Sequence, residues 1–453
     1  MRHRLREGAF WLYHRHVRRT NLRELRELFR QSERWDLERL RVFQTEGLRA
    51  LLSHCAANVP YYADLFREYG LDAERVREPE DLRRLPFLTK EIIGRQFERL
   101  LSRDVDATRL KLNSTSGSTG SSLLFYSDRA SRVSQALQLR ADEWLGLQLF
   151  DRELRIWGAH WDVSALRQAL PAAQNFLLGR QIVSGYRLSD EGVADCLERI
   201  RRFRPRLLHS YPSILYLLAS RWQGAPPRGL EAIRSAGEKL FDFQRARIEE
   251  RFGCKIFDFY GARDIPIVAQ ECEAHAGLHV NMEHVVLEVV DDSGSPIEEG
   301  EGELVLTHLA NRIMPFVRYR IGDRAHITRK PCPCGRALPL LLEVTGRTFD
   351  VLLLPNGNRV GGTFWTLLMR SGASEELVKS FQVVQRSRTR IAVIYVAREA
   401  LPEGEEWRLR GLVLEHGGPE LELTFERADE ITPTKGGKWR FVVDEWGGAG
   451  EGR

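Results

Sequence analysis

Apolar residues in this chain change their spacing three times, and that change of rhythm constrains the fold more than any other feature. Over residues 1 to about 100, Leu37, Leu40, Val42, Phe43, Leu48, Leu51 and Leu52 recur near a 3.6-residue period with Arg and Glu between them, which predicts helices. Asn58-Val-Pro-Tyr-Tyr breaks this run, and Thr89-Lys90-Glu91 after Pro86 opens another helix. Between about 150 and 270, short apolar runs alternate with helical stretches. Strands are expected at 154–157, 207–208, 232–233 and 256–259, and helices at 190–203, 212–223 and 241–252. Such alternation demands an α/β sheet with crossover helices. After about 278, closely spaced strands at 284–290, 302–307, 325–328 and 340–344 predict a β-rich part, spanning about 270–345. Beyond Gly346-Arg347 the pattern becomes that of a small α+β unit. The expected organisation is a large, multi-subdomain α/β unit at 1–347 followed by a small unit at 348–453.

Composition removes several other classes. The chain has 453 residues, 43% hydrophobic and 29% charged, so a disordered chain, a collagen repeat and a small disulfide scaffold are excluded. No apolar run approaches the roughly 20 residues a membrane span needs. A net charge of +5 is mild, and the arginines are spread through Glu/Arg helix faces such as 22–40, so no nucleic-acid partner is expected. Lysine is rare, at eight residues, which makes each one informative. Six unevenly spaced cysteines do not form a secreted framework. The basic N-terminus holds Phe10, Trp11, Leu12 and Tyr13 without a signal-peptide core, so a helix packing on its own domain and a cytoplasmic location are expected. The sequence leaves monomer and homodimer both open.

Two local patterns carry chemistry. Ser114-Thr-Ser-Gly-Ser-Thr-Gly-Ser-Ser122 concentrates N–H and O–H donors just before the apolar strand Leu123–Tyr126, as a phosphate-cradling loop would. It lacks the Gly-Lys-Ser/Thr ending of a P-loop, so that kind of site is rejected. Cys272, His279, Cys332 and Cys334 offer three thiols and an imidazole, a donor set for tetrahedral zinc, with His275 as a substitute. The alternative is a pair of buried thiols and a surface histidine.

These motifs, with others in the same order, resemble the adenylate-forming superfamily, specifically its phenylacetate–CoA ligase-like and capsule-cluster branch. Thr115–Gly120 is similar to that family's phosphate loop, Ser235-Ala-Gly-Glu238 to its adenine-side turn, and Asp258-Phe-Tyr-Gly-Ala-Arg-Asp264 to its Tyr-Gly-x-Thr-Glu segment. Met314–Asp323 resembles its Arg-Tyr-x-x-Gly-Asp segment, Gly346-Arg347 its hinge, and Thr432–Arg440 its C-terminal lysine segment. Asn58–Tyr62 and Leu85–Lys90 are similar to its N-terminal helices. The resemblance implies that Ser116, Gly117, Ser118, Thr119 and Gly120 bind phosphates, and that Ala236, Gly237, Glu238, Phe259, Tyr260 and Gly261 frame adenine. Tyr260 would lie flat on the base, with Gly261 leaving room for the ring. Asp323 and Arg347 would reach the ribose or phosphate, and Lys438 would supply positive charge to the transition state. Arg263 and Asp264 stand where the family usually has Thr and Glu; Asp264 would help hold Mg²⁺ and Arg263 would contact phosphate. Trp157, His160, Trp161, His209 and Tyr211 would line the acyl pocket.

By this resemblance the chain would convert a carboxylic acid and ATP·Mg²⁺ to an acyl-adenylate and pyrophosphate. It would then pass the acyl group to a thiol, coenzyme A first among them, after the small C-terminal unit swings as a mobile lid. Zinc would be structural. The alternatives are an amide ligase with an amine acceptor, or a turnover-deficient nucleotide-binding protein of a polysaccharide or secondary-metabolite pathway.

Overall fold

The computed structural model describes residues 2–17, 20–106, 110, 112–114, 123–126, 132–157, 175, 178–184, 190–347, 351–369, 374, 377–429, 431 and 442–446. Helices come first, as the spacing predicts. Leu37–Asn58 starts at Asp36, whose carboxylate accepts a 2.8 Å hydrogen bond from the Arg39 amide. Along one stripe it buries Leu40, Leu48, Leu51, Leu52 and Cys55. Pro60 opens the next helix, Pro60–Glu68, so the break at Asn58-Val-Pro is a bend between two helices.

Among the described residues, twelve strands form one mixed sheet. In spatial order they are Pro296–Ile297, Val285–Val290, Gly300–His308, Tyr319–Thr328, Leu340–Arg347, Leu278–Val280, Ala269–Glu271, Lys255–Tyr260, Ala232–Ala236, Leu207–Ser210, Glu153–Trp157 and Arg180–Ser184. The last five are mutually parallel; every earlier pairing is antiparallel. The parallel half packs Leu154, Leu208, Ile233 and Ile256 against the helices Asp190–Phe203, Pro212–Arg221 and Asp242–Phe252. The antiparallel half packs Val289, Leu306 and Ile321 in one core with Leu48, Leu52 and Tyr62 of the early helices.

The two regions that differ in sequence rhythm are thus one continuous sheet. Lys255–Tyr260 would otherwise end the parallel half with an open ladder, and the chain turns back so that Tyr260 pairs with Ala269. The strands Ala269–Glu271 and Leu278–Val280 were not legible as strands, because each is three residues long and buried without alternation.

The tail builds a second, four-stranded sheet in the order Glu422–Ala428, Arg390–Ala397, Val378–Gln385, Val442–Asp444. Trp365, Val383, Val393, Leu409 and Val413 form its own core with the helices Gly362–Met369 and Glu403–Gly417. It touches the large sheet's unit where the ring of Phe241 meets His416 edge-on at 6.1 Å.

Candidate active site

Four neighbouring parallel strands end on one edge, at Trp157, Ser210, Ala236 and Tyr260. That edge is where open α/β sheets bind ligands, because loops leaving the carboxyl ends line a crevice. The residues there are those the sequence singled out. Trp157 stacks on Tyr211 with ring centroids 4.6 Å apart, and His209 meets Trp157 edge-on at 5.3 Å. The Tyr211 ring in turn lies on the backbone of Gly237, where a Cβ would stand 2.7 Å from it. Gly237 has φ +83°, so both its conformation and its neighbour require glycine.

Beneath this aromatic pair sits a buried charged group. Glu153 accepts from Arg155 and Arg180, both at 2.8 Å, and from the His209 Nδ1 at 3.2 Å. Burial alone would raise the Glu153 carboxyl, but Arg155, Arg180 and His209 hold it well below the ordinary range. Burial, with Arg155 nearby, drives His209 down to about 3, so the imidazole is neutral.

On the next strands, the Ser235 hydroxyl donates to Asp258 at 2.8 Å. Burial and the adjacent Glu271 raise Asp258 to about 7. Asp258 lies within a quoted motif, yet its buried carboxyl pair with Glu271 was not legible, because Glu271 comes from the returning strand. Phe259 packs its side chain in the core beneath the Arg234 guanidinium, which lies 4.5 Å from the ring centroid. Tyr260 donates its hydroxyl to Asp323 at 2.7 Å, joining two motifs far apart in sequence. Asp323 is paired in register with Arg347 on the neighbouring strand, which brings the hinge backbone to the same place. The space left by Gly261 is taken by the chain itself: a Cβ there would lie 2.6 Å from the Ile267 amide nitrogen.

Arg263 and Asp264 sit in the hairpin loop between Lys255–Tyr260 and Ala269–Glu271. Arg263 is half-buried, whereas Asp264 is only 2% exposed. Burial raises the Asp264 carboxyl above the usual range, while its own amide, the Tyr319 hydroxyl and the Lys90 ammonium pull it back. Lys90 is a functional candidate that the motif reading missed. It arrives because Leu88 bridges to the strand Tyr319–Thr328, donating to the Arg318 carbonyl and accepting from the Arg320 amide, each at 2.9 Å. Rarity was the available signal, since Lys90 is one of eight lysines.

The Cys/His set closes into a cluster across the antiparallel strands. The ligating atoms of Cys272, His279, Cys332 and Cys334 all lie within 4.8 Å of one another. The Sγ atoms of Cys272 and Cys332 are 3.6 Å apart, and Cys334 Sγ is 3.3 Å from His279 Nε2. A zinc tetrahedron with Zn–S near 2.3 Å has S···S edges of about 3.8 Å, so the donor set and spacing fit. The other imidazole nitrogen of His279 lies 3.3 Å from the Leu338 carbonyl, which orients the ring. His275 is not part of the set: its Nδ1 lies 3.3 Å from Glu271 and its ring packs on Phe257. Ser116, Gly117, Ser118, Thr119, Gly120, His160, Trp161 and Lys438 lie outside the described residues, as does the side chain of Arg347.

No protein-family model matches the chain. It is 29% identical over 371 residues to phenylacetate-coenzyme A ligase of Thermus thermophilus, covering 77% of this chain and 79% of that enzyme. It is 22% identical over 450 residues to Protein CapK of Staphylococcus aureus, covering 95% and 92%. Among solved structures, 2-hydroxyisobutyryl-CoA ligase in a postadenylation state superposes with a TM-score of 0.66 at 18% identity, over 92% of this chain and 91% of that one. Over most of its length the chain is thus similar to phenylacetate-coenzyme A ligases and to Protein CapK, and it shares its fold with 2-hydroxyisobutyryl-CoA ligase.

Proposed function

We propose that the protein activates a carboxylic acid with ATP to an acyl-adenylate, releasing pyrophosphate, and then transfers the acyl group to coenzyme A. The observation that carries this reading is the joining of the Trp157–Tyr211 pair, the Gly237 turn and the Tyr260–Asp323 hydrogen bond along one sheet edge. An acid held against the aromatic pair would lie next to a nucleotide held by the turn and by Asp323. The carboxylate oxygen attacks the α-phosphorus and pyrophosphate leaves; the thiol sulfur then attacks the acyl carbon and AMP leaves.

The chain's own groups divide the work. Asp323 accepts from a ribose hydroxyl on the oxygen not engaged by Tyr260. Asp264 would hold Mg²⁺, which neutralises charge on the phosphates. The Lys90 charge lowers the Asp264 carboxyl against the burial that raises it, and Arg263 adds a cation toward phosphate. The hydroxyl-rich loop 114–122 would wrap the leaving pyrophosphate, and Lys438 would approach from a C-terminal lid, 348–453. Zinc at Cys272, His279, Cys332 and Cys334 would have four protein ligands and no open position, so its contribution is structural.

Purified protein with ATP, Mg²⁺ and a panel of aryl and acyl acids should release pyrophosphate only with a matching acid. Adding coenzyme A should yield a thioester by mass. ATP binding without acid-dependent pyrophosphate would remove the enzyme reading, and product with an amine but not coenzyme A would replace the acceptor. Lys438→Ala should slow adenylate formation by about a hundredfold or more while the protein stays folded.

A further inference from the structure

The loop that carries Asp264 contains an unusual backbone. Ile267 adopts φ +55°, a left-handed conformation that is costly for a β-branched residue and persists only where surrounding structure enforces it. Two buried side chains hold this stretch by its carbonyls. Asn281 Nδ2 donates to the Ile267 carbonyl at 2.9 Å, and His284 Nε2 to the Pro266 carbonyl at 2.8 Å. Burial lowers His284 to about 4, so it stays neutral at physiological pH. The Asn281 backbone N–H also donates to the Val268 carbonyl at 2.9 Å.

The orientation of the Asn281 side chain is set from elsewhere. Its Oδ1 accepts from Arg140 Nη2 at 2.5 Å, and a guanidinium can only donate, so Nδ2 must face Ile267. Arg140 is itself locked: it pairs with Glu283 at 2.5 Å, both side chains 0% exposed, and Ser32 donates to the same carboxylate. Arg140 belongs to the helix Arg132–Trp144, which follows the hydroxyl-rich loop and the strand Leu124–Tyr126. The same helix contributes Ala136 and Leu137 to the cluster against which Ile267 packs.

We infer that Arg140 and Asn281 are positioning residues, a relay that fixes the strained Ile267 turn and thereby sets Asp264 relative to the helix Arg132–Trp144. The inference rests on the acid-activation reading only for the role of Asp264. Uncompensated, the turn would relax toward negative φ at Ile267 and carry Asp264 with it. Because Asp264 would act through Mg²⁺, the consequence is a metal requirement set by a side chain that touches neither metal nor substrate.

Asn281→Asp tests this in the full-length protein, since it is isosteric, keeps the acceptor for Arg140 and removes the N–H that holds Ile267. The Mg²⁺ concentration giving half-maximal pyrophosphate release should rise about fivefold or more, as expected for one lost buried hydrogen bond, while the rate at saturating Mg²⁺ falls much less. Ile267→Gly should remove the strain, so in that background Asn281→Asp should change the Mg²⁺ requirement little. An unchanged Mg²⁺ requirement in folded Asn281→Asp, or an equal effect with and without Ile267→Gly, overturns the relay. Should wild type release no pyrophosphate with any acid, the activation reading fails by itself. Calorimetric Mg²⁺ titration with a non-hydrolysable ATP analogue then reads the relay: weaker Mg²⁺ binding in Asn281→Asp supports it, and equal binding overturns it. If Asn281→Asp does not fold, Asn281→Ser is read by the same titrations against the same outcomes.

Discussion

Asp258 shows how a single buried carboxyl ties stability to pH. Its folded value of about 7 lies above the ordinary carboxylate value of 3.8, so its protonated form is favoured in the fold. The stability it contributes is complete below about 4 and is lost as pH rises through about 7. Asn at this position keeps the oxygen that accepts from Ser235 without the charge facing Glu271. Asp258→Asn is therefore expected to stabilise the protein at pH 8 by on the order of 2 kcal/mol and to flatten its denaturant midpoint between pH 4 and 7. Asp264 is likewise raised by burial, and there the Lys90 charge acts in the opposite sense, lowering that carboxyl. Lys90→Ala should move the acid limb of kcat/KM to higher pH, and Lys90→Arg should largely restore it; an unmoved limb would detach Lys90 from Asp264. Tyr260 and Asp323 could be named from their motifs, whereas Lys90 could not be joined to Asp264. Their proximity depends on the bridge from Leu88 to Tyr319, which no local pattern records.

The Cys/His cluster is a device of elements. Cys272 follows one short strand, His279 sits in the next, and Cys332 and Cys334 lie in the connection ahead of Leu340–Arg347. Arg336, between the last pair and that strand, donates to both Glu273 oxygens at 2.9 Å and lies over Trp144, so the connection is also clamped by charge. Short strands bury little apolar area, and a metal would replace that missing cohesion. One zinc per chain is expected by elemental analysis. Cys332→Ser or chelation should lower the melting temperature by about 3 °C or more, and a metal-free native preparation with unchanged melting would contradict the role. The residue types were legible as a donor set. Their convergence was not, because the spacing between Cys272 and Cys332 is closed only by antiparallel pairing of the strands that carry His279 and Leu340.

Across the whole molecule, the tail's core and the large sheet meet at few described side chains. His416, near the end of Glu403–Gly417, packs between Phe364 of its own unit and Phe241, which follows the Gly237 turn. Lys239 on that turn pairs with Glu343 at 2.7 Å, tying it to the strand that leads to Arg347. A contact this small suits units that change their relative placement during a reaction. Phe241→Ala is expected to enlarge the radius of gyration in small-angle scattering without lowering the melting of either core; an unchanged radius would show that other contacts hold the units together.

By itself the sequence determined the rhythm of elements, the α/β class, the small α+β tail and the ordered motifs that named Tyr260, Asp323, Asp264 and the Cys/His donors. Those are encoded locally, as periodicity, turn chemistry and residue type. Only the tertiary structure decided that the β-rich part continues the parallel sheet, that Phe259 belongs to the core, and that the Lys90 charge acts on Asp264. It alone showed that Arg140, through Asn281, holds the strained turn at Ile267. Each of these depends on which strands pair and which faces are buried, and long-range pairing satisfies backbone and charge with partners that sequence distance does not reveal.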